Sequence, residues 1–406
     1  MLRNQNDIGY IDSGDVIIHS MKQDDLSLSG SQITETASKT IRKRYLFEYD
    51  FIRTLLTWTI VLTHVLTTAE ENDITRPPVL RFVFEHASGG LGQIAVSVFF
   101  LLSGVVIHKN HKKKENVWTF YRGRMIKLLL PIVICSLPLI AIDYLLRPEW
   151  FVQSIEYIRN TVWFNFLGLD LYLLVFVKIY PYHVAGEWFT SVILTMYALY
   201  PLLKKWNAGI RKQAFVTVAV LLLYLANVKY PVFTGGDGMF SFTRGLLFFW
   251  CGMLYEEYEE FFKDKRIWIA ASLGFLVLYA MYPIRLFRST KLTNTALSFC
   301  VFVALAGIGR KCRFLQDNPL AKRVIEGSCR NSYMIYLSHH FIVVNMMIRT
   351  LDPETGTLHF YLVVLMTSFL IYLYSELMNR IAKKTIRMIN VLHGRLLHHK
   401  ETNREA

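Results

Sequence analysis

An arginine and a histidine stand eleven residues apart in the stretch EYDFIRTLLTWTIVLTH, which ends at His64. At about 100° per residue, eleven steps return to within roughly 20° of the starting face, so a helix presents Arg53 and His64 on one side, about 16 Å apart along its axis. One face thus carries a fixed cation at one end and a group that moves protons near neutrality further along. The competing structural reading has Arg53 reaching back to the interface and His64 closing an internal hydrogen bond. Titratable groups at membrane depth are costly, which makes each a functional candidate.

Further along, the apolar run FFLLSGVVIH carries Ser103-Gly104, a small pair that lets a helix or a ligand approach closely; helix packing alone accounts for an isolated Ser-Gly. The loop after it holds Lys109, Lys112, Lys113, Lys114, Arg122, Arg124 and Lys127. Membrane topology by itself explains the lysine run, but Arg124 and Lys127 are spaced i, i+3 at the mouth of the next apolar run and share a face, as an anion site requires. His339 and His340 are neighbours in a later apolar run. Adjacent helical residues point about 100° apart, so both are not expected to face one site squarely. Asp143, Arg244 and Glu376 are further intramembrane groups without an assignable role, and His86 falls in an outer loop.

The elements that must position these groups are membrane helices. Of the 406 residues 53% are hydrophobic and 14% aromatic, which excludes an ordinary soluble domain. Ten runs have the length of a crossing, near 47–67, 93–110, 126–146, 188–203, 213–229, 241–257, 267–283, 293–309, 330–349 and 358–380. Residues 161–180 are apolar enough to span but contain Asn165, Asp170 and Lys178. Leaving them uncrossed places 30 Lys and Arg in the stretches on one side and 10 on the other; counting them as a span collapses that bias. The expected fold is therefore an all-α polytopic bundle of about ten transmembrane helices with both termini cytoplasmic, and 147–187 outside, partly re-entrant or on the surface. The loop 284–292, with Arg285, Arg288 and Lys291, fits this arrangement poorly. The net charge of +14 belongs to topology and not to nucleic acid. Residues 1–44 are polar, lack the apolar core of a secretion signal and are expected to form a disordered cytosolic tail; 45–385 form the membrane domain and 386–406 a basic cytosolic tail. Cys135, Cys251, Cys300, Cys312 and Cys329 show no paired spacing, so neither disulfides nor a metal site is expected. No repeat relates the two halves.

Taken together, these motifs resemble the acyltransferase-3 family of membrane acyltransferases. The likeness rests on Asp50-Phe-Ile-Arg53 with His64, FFLLSG at 99–104, FYRGRMIKLLLP at 120–131, GEWFTSVILTMYALYPLL at 186–203 with Trp188, Tyr197 and Pro201, and SYMIYLSHHFI at 332–342 with His339. NFLGLDLYL at 165–173 and the Leu-Ser-His-His run are similar to bacterial enzymes that O-acetylate surface or capsular polysaccharide. One departure is Ile193, where many members carry a glutamate; Glu187 stands nearby as a possible substitute. Some relatives fuse a soluble hydrolase-like domain, expected to be absent here because about 25 residues follow the last apolar run.

The resemblance implies acetyl-CoA, or another acyl-CoA, as donor substrate from the cytosol, with no bound cofactor. Arg53, Arg122, Arg124, Lys127 and Ser103 would form the donor site, and His64 with Arg53 the catalytic pair. His64 would take a proton from a sugar hydroxyl or accept the acyl group itself, and the sequence leaves both routes open. The acceptor, a polysaccharide or lipid-linked glycan, would meet Glu187, Trp188, Tyr197 and His339, with Trp150, Trp163 and Tyr172 available for stacking on sugars. An interfacial aromatic belt explains those aromatics equally. A bacterial cytoplasmic membrane is the location implied. The rival classes are a transporter or flippase for a sugar-containing substrate, which has no particular use for an arginine and a histidine on one helix face beside a basic inner mouth, and a membrane sensor or scaffold, which would tolerate their replacement.

Overall fold

Apolar runs of this length cannot leave backbone polar groups to lipid, so the chain folds into helices that bond their own N–H and C=O groups. The computed structural model describes residues 30–86, 90–111, 116–182, 184–186, 188–231, 234–235, 240–281 and 291–405. The helices are α1 (Gly30–Glu71), α2 (Pro78–His86), α3 (Gly90–His111), α4 (Val117–Leu146), α5 (Pro148–Gln153), α6 (Ile155–Phe166), α7 (Asp170–Tyr172), α8 (Trp188–Trp206), α9 (Ile210–Lys229), α10 (Phe242–Glu257), α11 (Glu259–Lys263), α12 (Lys265–Met281), α13 (Lys291–Lys311), α14 (Arg313–Asp317), α15 (Pro319–Thr350) and α16 (Thr357–Glu405). A π-helical turn, Leu173–Val177, follows α7, and a two-residue antiparallel pair joins Thr234–Gly235 to Phe240–Ser241 ahead of α10.

Local signals set several boundaries. Asn116 caps α4 by accepting from Trp118 N, and Asn318 caps α15 by accepting from Leu320 N and Ala321 N, with Pro319 at the first helical position. Helix α1 begins at Gly30, inside the segment expected to be a disordered tail, and α16 continues to Glu405 through the expected basic tail. Each added residue of a formed helix gains a bond, and neither stretch holds a proline to stop it. Residues 1–29 lie outside the described residues.

Among the described residues, six helical stretches have the length and apolarity of a membrane crossing: Phe47–Glu71, Gly90–His111, Val117–Leu146, Ile210–Lys229, Lys291–Lys311 and Thr357–Leu392. The sequence suggested ten. The other four segments are also helical, but α10 and α12 have only 16 and 17 residues, and buried polar groups such as Thr190 and Ser191 in α8 and Ser338 and His339 in α15 dilute the apolar runs. Residues 161–180 do not form one helix. They break between α6 and α7, where Gly168 takes φ +64°, a conformation glycine adopts at no steric cost.

Contacts between helix ends fix their relative directions. At one end Glu48 meets Arg310 at 3.7 Å, and Arg310 also donates to Tyr255 Oη and Phe262 O. Lys109 lies 3.7 Å from Glu256 and 3.6 Å from Glu259, and Lys204 donates to His111 O. At the opposite end Arg244 and Asn294 both donate to Gln93 Oε1, at 3.2 and 3.1 Å, and Thr75 donates to Pro353 O. The apolar part of α1 begins at the first end, and α16 returns to it, with Asn379 donating to Arg330 O.

Helices α3 and α10 approach each other backbone to backbone. A Cβ at Gly104 would lie 2.1 Å from Phe249 O, and one at Gly252 would lie 2.0 Å from Leu101 O. Gly104 therefore serves helix packing, with Ser103 half-buried beside the crossing. Around it Phe100, Leu101, Val105, Phe248, Phe249, Trp250 and Phe302 form the central apolar core.

Candidate active site

Helices α1 and α15 run side by side and in parallel, held in register by polar contacts. Cys329 Sγ donates to Asp50 Oδ1 at 3.0 Å, and Arg53 Nη1 donates to the same sulfur at 3.5 Å. Thr54 Oγ1 donates to Ile325 O at 3.1 Å, and Trp58 Nε1 to Ser328 Oγ at 3.1 Å. Three turns along, the His64 ring lies against His339, with centroids 4.7 Å apart and planes at 70°, and against His340 at 5.0 Å. Arg53 and His64 thus do share a face, and it is the face toward α15. The expectation that His339 and His340 cannot both address one site needs correction. His64 projects from the neighbouring helix toward the groove between them, so two side chains about 100° apart on α15 both reach its ring.

The ring of His339 is fully buried, and its Nδ1 lies 2.6 Å from Tyr336 O. A carbonyl only accepts, so Nδ1 carries the hydrogen and Nε2 is the acceptor nitrogen. His64 is half-buried, and among the described residues it makes ring contacts but no hydrogen bond.

A second group lies toward the end of the bundle where Arg53 sits. Arg124 donates to His111 Nε2 and lies over the rings of Phe120 and Tyr197, 5.9 and 5.7 Å from their centroids. Tyr197 is in turn within electrostatic reach of Arg53. Tyr197, expected with the acceptor residues, therefore lies between the two arginines. Arg122 is half-buried two residues from Arg124, about 200° around α4, and so does not share its face. Lys127 is exposed on the Arg124 side.

On the other side of His64, Trp188 opens α8 with its ring 6.2 Å from that of Phe100. Phe189 packs on Phe100 and on Tyr336, at 4.7 and 5.1 Å, linking α3 to the His339 turn. Glu187 lies outside the described residues. Ile193 is buried in the central apolar core, so this departure from the family pattern fills packing space.

The chain before α8 is tied to the site by a backbone bond, Gly186 N to Leu337 O at 2.9 Å. Behind it lies a buried polar lattice. Asn165 Nδ2 donates to Ala185 O at 2.8 Å and to Asp170 Oδ2 at 3.0 Å, and Leu171 N donates to Ser191 Oγ. Tyr182 N donates to Thr161 Oγ1 and Tyr182 Oη to Asp143 Oδ2, while Arg147 Nε also donates to Asp143. Asp143, without a role in the sequence, anchors this lattice. Arg244 belongs to the Gln93 cluster, and Glu376 bonds Arg330, Asn331 and Arg380. Trp150 lies under the Arg147 guanidinium at 4.4 Å, and Trp163 is exposed. Removing the Asp143 carboxylate strands the Tyr182 hydroxyl, at a cost of about 1–3 kcal/mol confined to this segment. Asp143→Ala should therefore speed limited proteolysis within 147–186 while the bundle melts as in the wild type.

Residues missed from sequence are Asp50 as a partner of Arg53, Cys329, His340 and Tyr336. A signal was present: Cys329 precedes His339 by nearly the spacing that separates Arg53 from His64. Among the described residues no three His, Cys, Asp or Glu side chains are grouped to hold a metal ion.

A family model described as an acyltransferase domain, of the acyltransferase-3 type, matches residues 46–377. The chain belongs to the acyltransferase-3 family. That stretch runs from the apolar start of α1 into the first half of α16, and so takes in Arg53, His64, Arg124, His339 and His340. With six helices long and apolar enough to cross a membrane among the described residues, this makes the chain a membrane acyltransferase. No curated protein and no solved structure matches it.

Proposed function

We propose that this acyltransferase moves an acyl group, acetyl in the first instance, from cytosolic acyl-CoA to a hydroxyl of a cell-surface or lipid-linked polysaccharide. In this reading it is a bacterial cytoplasmic-membrane protein with both termini in the cytosol. The observation that carries it is the α1–α15 register, which sets Arg53 at one end of a shared face and the imidazoles of His64, His339 and His340 at the other. The donor phosphates lie on Arg53 and Arg124 on either side of Tyr197, with Lys127 at the mouth, and the thioester points along α1 to His64. The acceptor approaches from the side of 147–186 and Trp188. His64 takes the hydroxyl proton or carries the acyl group briefly, and rapid quench of the wild type, with or without a trapped acyl-enzyme, separates the two routes.

The reading is tested by the O-acetyl content of the surface glycan in a null strain carrying the wild-type gene, with purified protein assayed for thioester cleavage that depends on acceptor. A glycan ester that the gene does not restore, together with no thioester cleavage, sinks it and leaves sugar transport as the function.

Arg124 also provides a test of donor binding. A charge-assisted bond contributes about 1.5–3 kcal/mol, and each 1.4 kcal/mol is tenfold. Arg124→Ala should raise KM for acetyl-CoA roughly 10- to 100-fold with kcat little changed. An unchanged KM would remove Arg124 from the donor site.

A further inference from the structure

Acyl transfer to a hydroxyl needs a base on the acceptor side, and a thioester directed at His64 occupies that imidazole with the donor. Two features single out a second group. The His339 ring lies 4.7 Å from that of His64, centroid to centroid. Its Nδ1–H is committed to Tyr336 O, in a turn whose next residue, Leu337, accepts the backbone bond from Gly186. A neutral imidazole fixed at Nδ1 presents Nε2 as a base of defined direction, the arrangement in which one ring nitrogen is oriented by a hydrogen bond made by the other. The sulfhydryl and carboxylate nearest Arg53 on this face, Cys329 and Asp50, lie three turns away and are bonded to each other.

Resting on the acyl-CoA reading above, we propose that His339 is the second base of the reaction. In the direct route His339, in place of His64, takes the proton from the acceptor hydroxyl at Nε2 while His64 stays on the thioester. The hydroxyl O–H bond breaks with its proton going to Nε2, the oxygen forms the ester C–O bond, and the C–S bond breaks with its electron pair leaving on the CoA sulfur. The proton returns from His339 through His64 to that thiolate, so the products are ester and CoA thiol and both imidazoles end as they began. His339 fills this role in preference to His340 because its tautomer is set by the carbonyl and its ring is fully buried, whereas His340 is half-buried.

The test separates the base from the structural bond. In His339→Asn the side-chain amide can still donate to Tyr336 O, but nothing remains at the position of Nε2. Transfer of radiolabelled acetyl from acetyl-CoA to null-strain membranes is measured alongside CoA binding and thermal melting. The expected result is a loss of transfer of at least about 100-fold, within the range for removal of a general base, with CoA binding and melting close to wild type. Retention of transfer within about threefold overturns the proposal and leaves His339 a packing residue. If the asparagine variant is not recovered folded, His339→Ala is assayed with added imidazole: regained transfer supports the base role, and none overturns it. Wild-type protein that neither binds CoA nor transfers acetyl fails the acyl-CoA reading itself, which is distinct from an active wild type with an active His339→Asn.

Discussion

His64→Ala should abolish acyl transfer while leaving the protein folded and able to bind acyl-CoA. The ring makes no hydrogen bond to a described residue; it contributes edge contacts with two other imidazoles, and aromatic pairs of this kind stabilise by only about 0.5–1.5 kcal/mol each. Its removal therefore costs little fold. The chemistry loses the one imidazole aligned with Arg53, and loss of a positioned proton-transfer group costs about 10²- to 10⁴-fold in rate. If, as proposed, the donor phosphates are held by Arg53 and Arg124, three turns away, the effect should fall on kcat and not on KM for acetyl-CoA. Membrane levels are matched before glycan O-acetyl is compared. A variant that restores the ester as well as wild type does would remove His64 from the chemistry and keep the family assignment.

Gly104→Ala and Gly252→Ala should each cost more stability than any single change at the site. The added methyl meets a backbone carbonyl oxygen at 2.1 or 2.0 Å, and neither α3 nor α10 can yield without displacing the central core. Overpacking typically costs about 1–3 kcal/mol, and backbone that must separate by more than an ångström lies at or beyond the upper end. Recovery of folded protein in detergent should fall sharply, and the melting temperature of what remains should drop. Gly123→Ala is the control: no atom lies within 4 Å of its Cβ position, and alanine is favoured over glycine in a helix by about 0.5–1 kcal/mol. Equal melting of all three variants would show that the α3–α10 crossing is looser than this geometry.

Much of this site was legible because helical periodicity is a local property. The Arg53–His64 spacing gave their shared face, the apolar runs gave the helices, and charge imbalance kept 161–180 from being taken as a crossing. What escaped depends on two segments at once. The angle between His339 and His340 was correct, but whether both reach one target depends on the helix opposite, whose His64 projects toward the groove between them. Tyr197, expected with the acceptor residues, lies against Arg124 and within electrostatic reach of Arg53 because α8 carries it about two and a half turns past Trp188. The lattice of Asn165, Asp170, Thr161, Tyr182 and Asp143 joins residues up to 39 positions apart, and no local pattern announces it. Of the ten runs read as crossings, six are long and apolar enough by themselves among the described residues; α10 and α12 are shorter, and buried polar groups dilute the apolar runs of α8 and α15.

The α1–α15 contact also works as a ruler. Asp50, Arg53 and Trp58 pin one stretch of it, and the histidines mark the other, so the gap between anion site and imidazole is set by backbone rise and not by a mobile loop. At about 1.5 Å per residue that gap is about 16 Å. A donor with its acyl group at the end of a long flexible arm can keep its charge on Arg53 and still present its carbonyl to His64. An acyl phosphate, with charge and carbonyl joined through a single oxygen, cannot do both. Inserting or deleting a single residue between positions 53 and 64 would change the length only slightly but turn the two groups about 100° out of line, so the enzyme would lose its measure of the donor through rotation before it lost it through distance.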